Sequence, residues 1–155
     1  TALIVTDAKL AGFDDAIVLS DSGHVTEGSA MNLYLVENGK LVTTKITDNI
    51  LVGITRNTIK EIAEKEFGIE VIERDIDRTE LYIADEAFYC GTGAQVSPIT
   101  SIDNRPIGTG KIGPITEKIQ NYYFDMVKGK TKKHTDWVIP VYDNWFYWSL
   151  RNKSL

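Results

Sequence analysis

The sequence predicts an α+β domain, and three observations carry that expectation. Hydrophobic periodicity alternates between strand-like and helix-like blocks along the chain. Asn38-Gly39 separates two apolar runs, and these residue types accept the positive φ angles of a tight type I′ hairpin. Two longer stretches, one over Thr55–Phe67 and one opening at Pro114, place apolar residues on a single helical face.

Taken in order, Ala16–Leu19 reads as a buried strand, followed by the turn residues Asp21-Ser22-Gly23. Asn32–Val36 and Leu41–Thr43 are the two arms of the hairpin. In the first helix Ile59, Ile62, Ala63 and Phe67 share a face, Thr55 is the expected N-cap, and Gly68 the left-handed residue that stops it. Ile69–Asp75 reads as a strand, Arg78–Ile83 as a short helical turn, and Glu86–Cys90 as another strand. Gly91-Thr92-Gly93-Ala94 breaks that strand. Extended structure resumes over Val96–Ile102, where Pro98 predicts an edge. Residues 103–113 are turn-rich. Pro114 suits the first turn of the final helix, with Ile115, Ile119, Tyr123 and Met126 in one stripe.

Composition excludes several classes. The chain has 155 residues, 43% apolar and 25% charged, enough to build a core. No apolar run exceeds five residues, so no membrane-spanning helix is expected. A net charge of -5 argues against a general nucleic-acid binder. One cysteine, Cys90, forms no internal disulfide, and with two histidines a closed zinc site lacks ligands, so no metal is expected. The chain begins at Thr1 with neither an initiator Met nor a signal segment, which predicts a portion of a longer, cytoplasmic polypeptide. Lys128–His134, with four lysines, reads as a solvated link. Beyond it lie six of the fifteen aromatic residues, including all three tryptophans, expected to dock on the domain or on a partner subunit.

Three segments could carry chemistry. Glu27, in Gly23-His24-Val25-Thr26-Glu27-Gly28-Ser29, is a carboxylate at a Gly-flanked bend between apolar strands: either a positioned acid or a surface turn acid. Val52-Gly53-Ile54-Thr55-Arg56 opens a helix, whose first turn offers unpaired N–H groups, the positive end of the dipole and a hydroxyl. That suits a phosphate, or is simply a cap. Gly91-Thr92-Gly93-Ala94-Gln95 offers successive N–H groups and a hydroxyl, an anion nest or a flexible turn. Cys90 reads as a buried thiol, and Asp85-Glu86 as neighbours on opposite strand faces rather than a dyad.

The ordered series Gly12-Phe13-Asp14-Asp15-Ala16-Ile17, Gly23–Gly28 with Asn32-Leu33-Tyr34, Gly53-Ile54-Thr55-Arg56, Ala84–Phe88, Gly91–Ala94 with Pro98, and Gly113–Thr116 resembles the large domain of a branched-chain amino-acid aminotransferase. These are fold-type-IV pyridoxal-phosphate enzymes, and the likeness runs from Gly12 to Val141. It implies a curved, mostly antiparallel, barrel-like sheet of the D-amino-acid aminotransferase type with two main helices. It further implies residues 1–141 as the large C-terminal cofactor domain and 142–155 as an aromatic-rich tail.

The resemblance assigns pyridoxal 5′-phosphate as cofactor. Glu27 would pair with its ring nitrogen, Ile54, Thr55 and Thr92 would hold its phosphate, and Gly93 and Ala94 would meet the substrate carboxylate. It implies ping-pong transfer of the amino group of leucine, isoleucine or valine to 2-oxoglutarate in a homodimer or larger homo-oligomer. The Schiff-base lysine of the family would precede Thr1, so residues 1–155 alone are expected to be inactive, with no catalytic lysine among them. D-amino-acid transaminase and 4-amino-4-deoxychorismate lyase share the scaffold, and a non-catalytic cofactor-binding or interface module is the alternative of a different class.

Overall fold

The computed structural model describes residues 2–47 and 49–139. Two compact units divide after Asn121. The first is built on a five-stranded sheet, whose central hairpin follows from local chemistry. Asn38 and Gly39 adopt φ of 51° and 78°, and Glu37 pairs with Lys40 across the two-residue turn. The turn thereby sets the register of β3 (Asn32–Glu37) against β4 (Lys40–Thr43). Around this pair stand β5 (Val71–Glu73), β6 (Glu86–Gly91) and β7 (Gln95–Ile99), in the order β5-β4-β3-β6-β7. Every neighbouring pair is antiparallel except β4 and β5, which are joined by a helical crossover and run parallel. Pro98 lies on the edge strand β7, where its missing N–H costs no ladder bond.

The crossover helix α2 spans Ile54–Phe67, and Gly68 ends it at φ 63° with its N–H on the Ala63 carbonyl. The helix begins one residue earlier than its sequence suggests. Gly53, in extended conformation, is the N-cap, so Thr55 belongs to the first turn and is not the cap. Ile59, Ile62 and Ala63 are fully buried, each large side chain contributing about 1.5–3 kcal/mol by removal from water. The Tyr34 hydroxyl donates to the Arg56 carbonyl at 2.9 Å, tying α2 to the even-numbered face of β3. On that face Tyr34 and Phe88 stack at 5.3 Å. Burial raises the Cys90 thiol to about 12, leaving it the inert thiol its context predicts.

The opposite face carries a second core of Leu33, Leu35, Ala87 and Tyr89 with Val25, Val42, Ile76, Leu81 and Ile107. It is covered partly by the two-stranded sheet of β1 (Ile17–Leu19) and β2 (Val25–Gly28). β1 is half-buried, with Leu19 exposed, because it lies in that small outer sheet. Within Ile69–Asp75 the strand proper is β5, with Glu70 and Arg74 on either side still bonded to the backbone of β4, and a short 3-10 helix occupies Arg78–Tyr82. A further hairpin joins β8 (Ser101–Ile102) to β9 (Arg105–Pro106).

Residues 2–10 form α1 (Ala2–Leu10), whose sequence has too little amphipathic contrast to announce a helix, so the described residues hold three α-helices rather than the two expected. The third, α3 (Pro114–Val127), opens at Pro114 as expected and contains the division between the two units. Its N-terminus is satisfied by the buried Glu86 carboxylate, which accepts from the N–H groups of Ile115 and Thr116 at 3.0 and 2.7 Å. Asp85 faces the other way and accepts from the Asn38 N–H, so the adjacent acids form no dyad. In the second unit the His134 ring packs against Trp137 at 4.0 Å, and the lysines of the 128–134 link are exposed. The aromatic residues of 142–155 lie outside the described residues.

Arg74 joins three elements of the first unit, donating to both carboxylate oxygens of Glu37 and to both of Glu80. Hydrogen bonding to Arg74 holds the Glu80 carboxyl below the usual carboxylate range, and Lys60, then Arg56, do the same for Glu73. Carboxyls depressed in the folded state stabilise it fully above their unfolded values, near 4.3, and lose that contribution as pH falls through the folded values. The melting temperature is therefore expected to fall as pH drops from about 5 towards 3. Arg74→Gln should flatten the profile. Because these groups are only partly buried, added salt should flatten it too. Melting curves across this range, with and without the substitution, check both.

Candidate functional site

Glu27 is the third residue of β2, and its neighbours explain its setting. Thr26 is buried and donates to the Val18 carbonyl, which locks β2 onto β1. Gly28 follows, packed so closely that a Cβ would lie 2.8 Å from the Tyr89 ring, and its N–H bonds to the Met31 carbonyl in a tight turn. The chain then enters β3 at Asn32. The Glu27 side chain is thus displayed, half-buried, at the mouth of a turn fixed on both sides.

The loop from β4 to α2 returns to the same place. The Leu51 N–H donates to Glu27 Oε2 at 3.1 Å, and Asn32 Nδ2 approaches the same oxygen at 3.4 Å while donating to the Leu51 carbonyl at 2.8 Å. Three residues beyond Leu51, α2 begins. No side chain caps it and no acid lies in its first turn. α3, by contrast, has its first N–H groups taken by Glu86. The start of α2 therefore keeps open the N–H groups and positive dipole end that bind anions. Thr55 is buried there and Ile54 is exposed.

Arg56, 1% exposed, braces this corner. Its Nη2 donates to the Thr44 carbonyl at 2.9 Å and pairs with Glu73 at 3.1 Å. Thr44 in turn donates to the Thr26 carbonyl at 2.9 Å. A continuous series of hydrogen bonds thus runs from the first turn of α2 to the residue preceding Glu27.

The third segment joins at the other edge of β3. Asn32 pairs with Cys90, and a Cβ on Gly91 would rest 3.5 Å from the Ala30 carbonyl oxygen, so the β6–β7 loop lies beside the turn that follows Glu27. Thr92 and Gly93 are exposed and Ala94 is half-buried. The left-handed residue of this loop is Gln95, at φ 57°, whereas a glycine-based nest would place the conformational freedom at Gly91 and Gly93. Glu27, Ile54, Thr55, Thr92, Gly93 and Ala94 therefore gather at one end of the sheet.

Gly53 makes room for Asn32. Its φ of -70° is open to any residue, and the space a side chain would take is filled by Asn32, whose Oδ1 would be 2.3 Å from a Cβ. Asn32 and Arg56 stand inside the motifs, which assign neither of them a role at this corner. The available signal was a polar residue opening an otherwise apolar strand and a cation within the apolar face of a helix. Elsewhere, a groove of about 830 Å³ between α1, Met31, Tyr89 and Ser97–Asn104 shares Met31 with this corner but contains neither Glu27 nor Thr55. Among the described residues no group of three or more His, Cys, Asp or Glu side chains could hold a metal ion, and no helix is long and apolar enough to cross a membrane.

The family model for amino-transferase class IV matches residues 2–102. A probable branched-chain-amino-acid aminotransferase of Aquifex aeolicus is 48% identical over 143 residues, covering 92% of this chain and 46% of that protein. Among solved structures, the branched-chain amino acid aminotransferase of Thermobaculum terrenum in its PLP-form superimposes with a TM-score of 0.88 at 42% identity, over 90% of this chain and 46% of the other. The branched-chain amino acid aminotransferase of Escherichia coli gives 0.83 at 39% identity, over 87% of this chain and 45% of the other. The chain spans less than half the length of the curated relatives it matches. An acid beside an open helix N-terminus and the family match over residues 2–102 agree, and the chain belongs to the class IV aminotransferase family.

Proposed function

We propose that this chain is the cofactor-binding portion of a branched-chain amino-acid aminotransferase that moves the amino group of leucine, isoleucine or valine to 2-oxoglutarate. The observation that carries the reading is the Leu51 N–H bond to Glu27, which sets a carboxylate beside the uncapped start of α2. The donor set fits pyridoxal 5′-phosphate: one acid for a ring nitrogen, and one open helix end with a hydroxyl for a phosphate. Among the described residues, Glu27 Oε2 takes two N–H groups and Oε1 takes none. When bound, the cofactor supplies an electron sink for the substrate carbon that loses its proton.

Glu27 holds a proton on the ring nitrogen by accepting its hydrogen bond. Ile54 and Thr55 hold the phosphate through N–H groups and the Thr55 hydroxyl, and Thr92 adds a second hydroxyl. Gly93 and Ala94 present N–H groups to the substrate carboxylate. The proposal takes residues 1–141 as the large domain and 142–155 as a tail. The lysine that anchors the cofactor lies outside residues 1–155, and the whole enzyme is a cytoplasmic homodimer or larger homo-oligomer.

Assays of the intact enzyme test this. Turnover of L-leucine, L-isoleucine or L-valine with 2-oxoglutarate is expected. Turnover of only D-alanine or aminodeoxychorismate would move the assignment to the D-amino-acid transaminase or lyase on this scaffold, and no turnover at all would favour a non-catalytic module. Borohydride reduction of residues 1–155 with the cofactor is expected to label no lysine. A covalently labelled lysine within them would overturn that part.

A further inference from the structure

We propose that Asn32 is a positioning residue that aims Glu27 at the cofactor ring and couples it to the phosphate end of the site, an inference that rests on the reading of Glu27 given above. Asn32 is 5% exposed in a strand whose other members are nearly all apolar, so its amide must be fully used. Its Nδ2 spans two acceptors, Glu27 Oε2 at 3.4 Å and the Leu51 carbonyl at 2.8 Å. These partners fix which way the amide points, since the flipped form would set Oδ1 against two oxygens.

The same side chain also determines the loop. Its Oδ1 occupies the place of a Cβ at Gly53, the N-cap of α2. One side chain therefore touches the carboxylate, the loop strand at Leu51 and the N-cap of the anion-binding helix. With Oε2 held by the Leu51 N–H and by Asn32, Oε1 is the oxygen left to face the ring nitrogen. An aspartate at 32 would keep the shape but replace both donated bonds with repulsion. Alanine would keep the Leu51 bond and release the carboxylate to rotate.

The test uses the intact, cofactor-loaded enzyme. Asn32→Ala and Asn32→Asp are compared with wild type and with Glu27→Gln for kcat, KM, melting temperature and the pH dependence of the cofactor's visible absorption. Asn32→Ala is expected to lower kcat roughly ten- to a hundredfold, the scale of one hydrogen bond to a charged group, with KM changed far less. It should also shift the pH profile of the absorption band in the direction seen for Glu27→Gln. Asn32→Asp should lose at least as much activity.

The double variant Asn32→Ala with Gly53→Ala separates positioning from packing, because the new methyl enters the space vacated by the Asn32 amide and meets Arg56 Cβ at 3.8 Å. Recovery of melting temperature without recovery of kcat supports the proposal. Recovery of both, or wild-type kcat and band position in Asn32→Ala while Glu27→Gln is impaired, overturns it and leaves the role of Glu27 standing. If Glu27→Gln itself behaves as wild type, the reading beneath it fails as well.

Discussion

Glu27→Gln in the intact enzyme is expected to lose roughly a hundredfold or more in kcat, with little change in melting temperature. Glutamine preserves the shape and can still receive the Leu51 N–H through its amide oxygen, so the fold keeps its contact. What disappears is the negative charge that favours a protonated ring nitrogen. Losing the charge-assisted bond together with the ring-nitrogen proton it favours costs up to about 3 kcal/mol in a partly desolvated site, and that is roughly a hundredfold in rate. Glu27→Asp keeps the charge on a shorter stem and should lose less. Steady-state kinetics of the three proteins, alongside thermal melts, check the ordering. Equal activity of wild type and the glutamine variant would remove Glu27 from the chemistry.

Arg56→Ala should be the most destabilising single change in this corner, at about 3 kcal/mol or more. The guanidinium is 1% exposed, and truncation strips a donor from the Thr44 carbonyl and from Glu73 while opening a cavity where the side-chain stem was. Glu73 is not stranded, because Lys60 also holds it at 2.6 Å, which keeps the cost at the lower end for a broken buried pair. Arg56→Met refills most of the volume and should lose less than alanine. The damage should also reach function. Arg56, Thr44 and Thr26 link the first turn of α2 to β2, so cofactor retention should weaken along with stability. Denaturant melts and cofactor dissociation rates of the intact enzyme test the two halves separately.

The structural roles of these residues are unevenly visible in the amino-acid order. Glu27, Gly53-Ile54-Thr55 and Gly91–Ala94 can be picked out as candidates because turn glycines, a helix start and a carboxylate each have a local signature. Arg56 is visible only as the end of a motif. Nothing in its immediate neighbours says that a cation will be buried and paired with Glu73. Asn32 is the harder case. It opens a strand as an ordinary polar residue would, and its importance comes from an amide that reaches a loop 19 positions away. Residues 2–10 give no clear sign of their helix because it has little amphipathic contrast to read.

Local backbone sterics suffice for the Asn38-Gly39 turn, the stop at Gly68 and the opening of α3 at Pro114, since each depends on the φ preferences of one or two adjacent residues. For that reason the α+β class and most element positions can be read from the order of residues. The convergence of Glu27, Asn32 and Leu51 across 19 to 24 positions, the parallel pairing of β4 with β5 and the burial of Arg56 are of another kind. They depend on strand register and on which distant groups must satisfy one another once water is excluded. No short stretch of sequence contains that information, and it exists only once the whole sheet has formed.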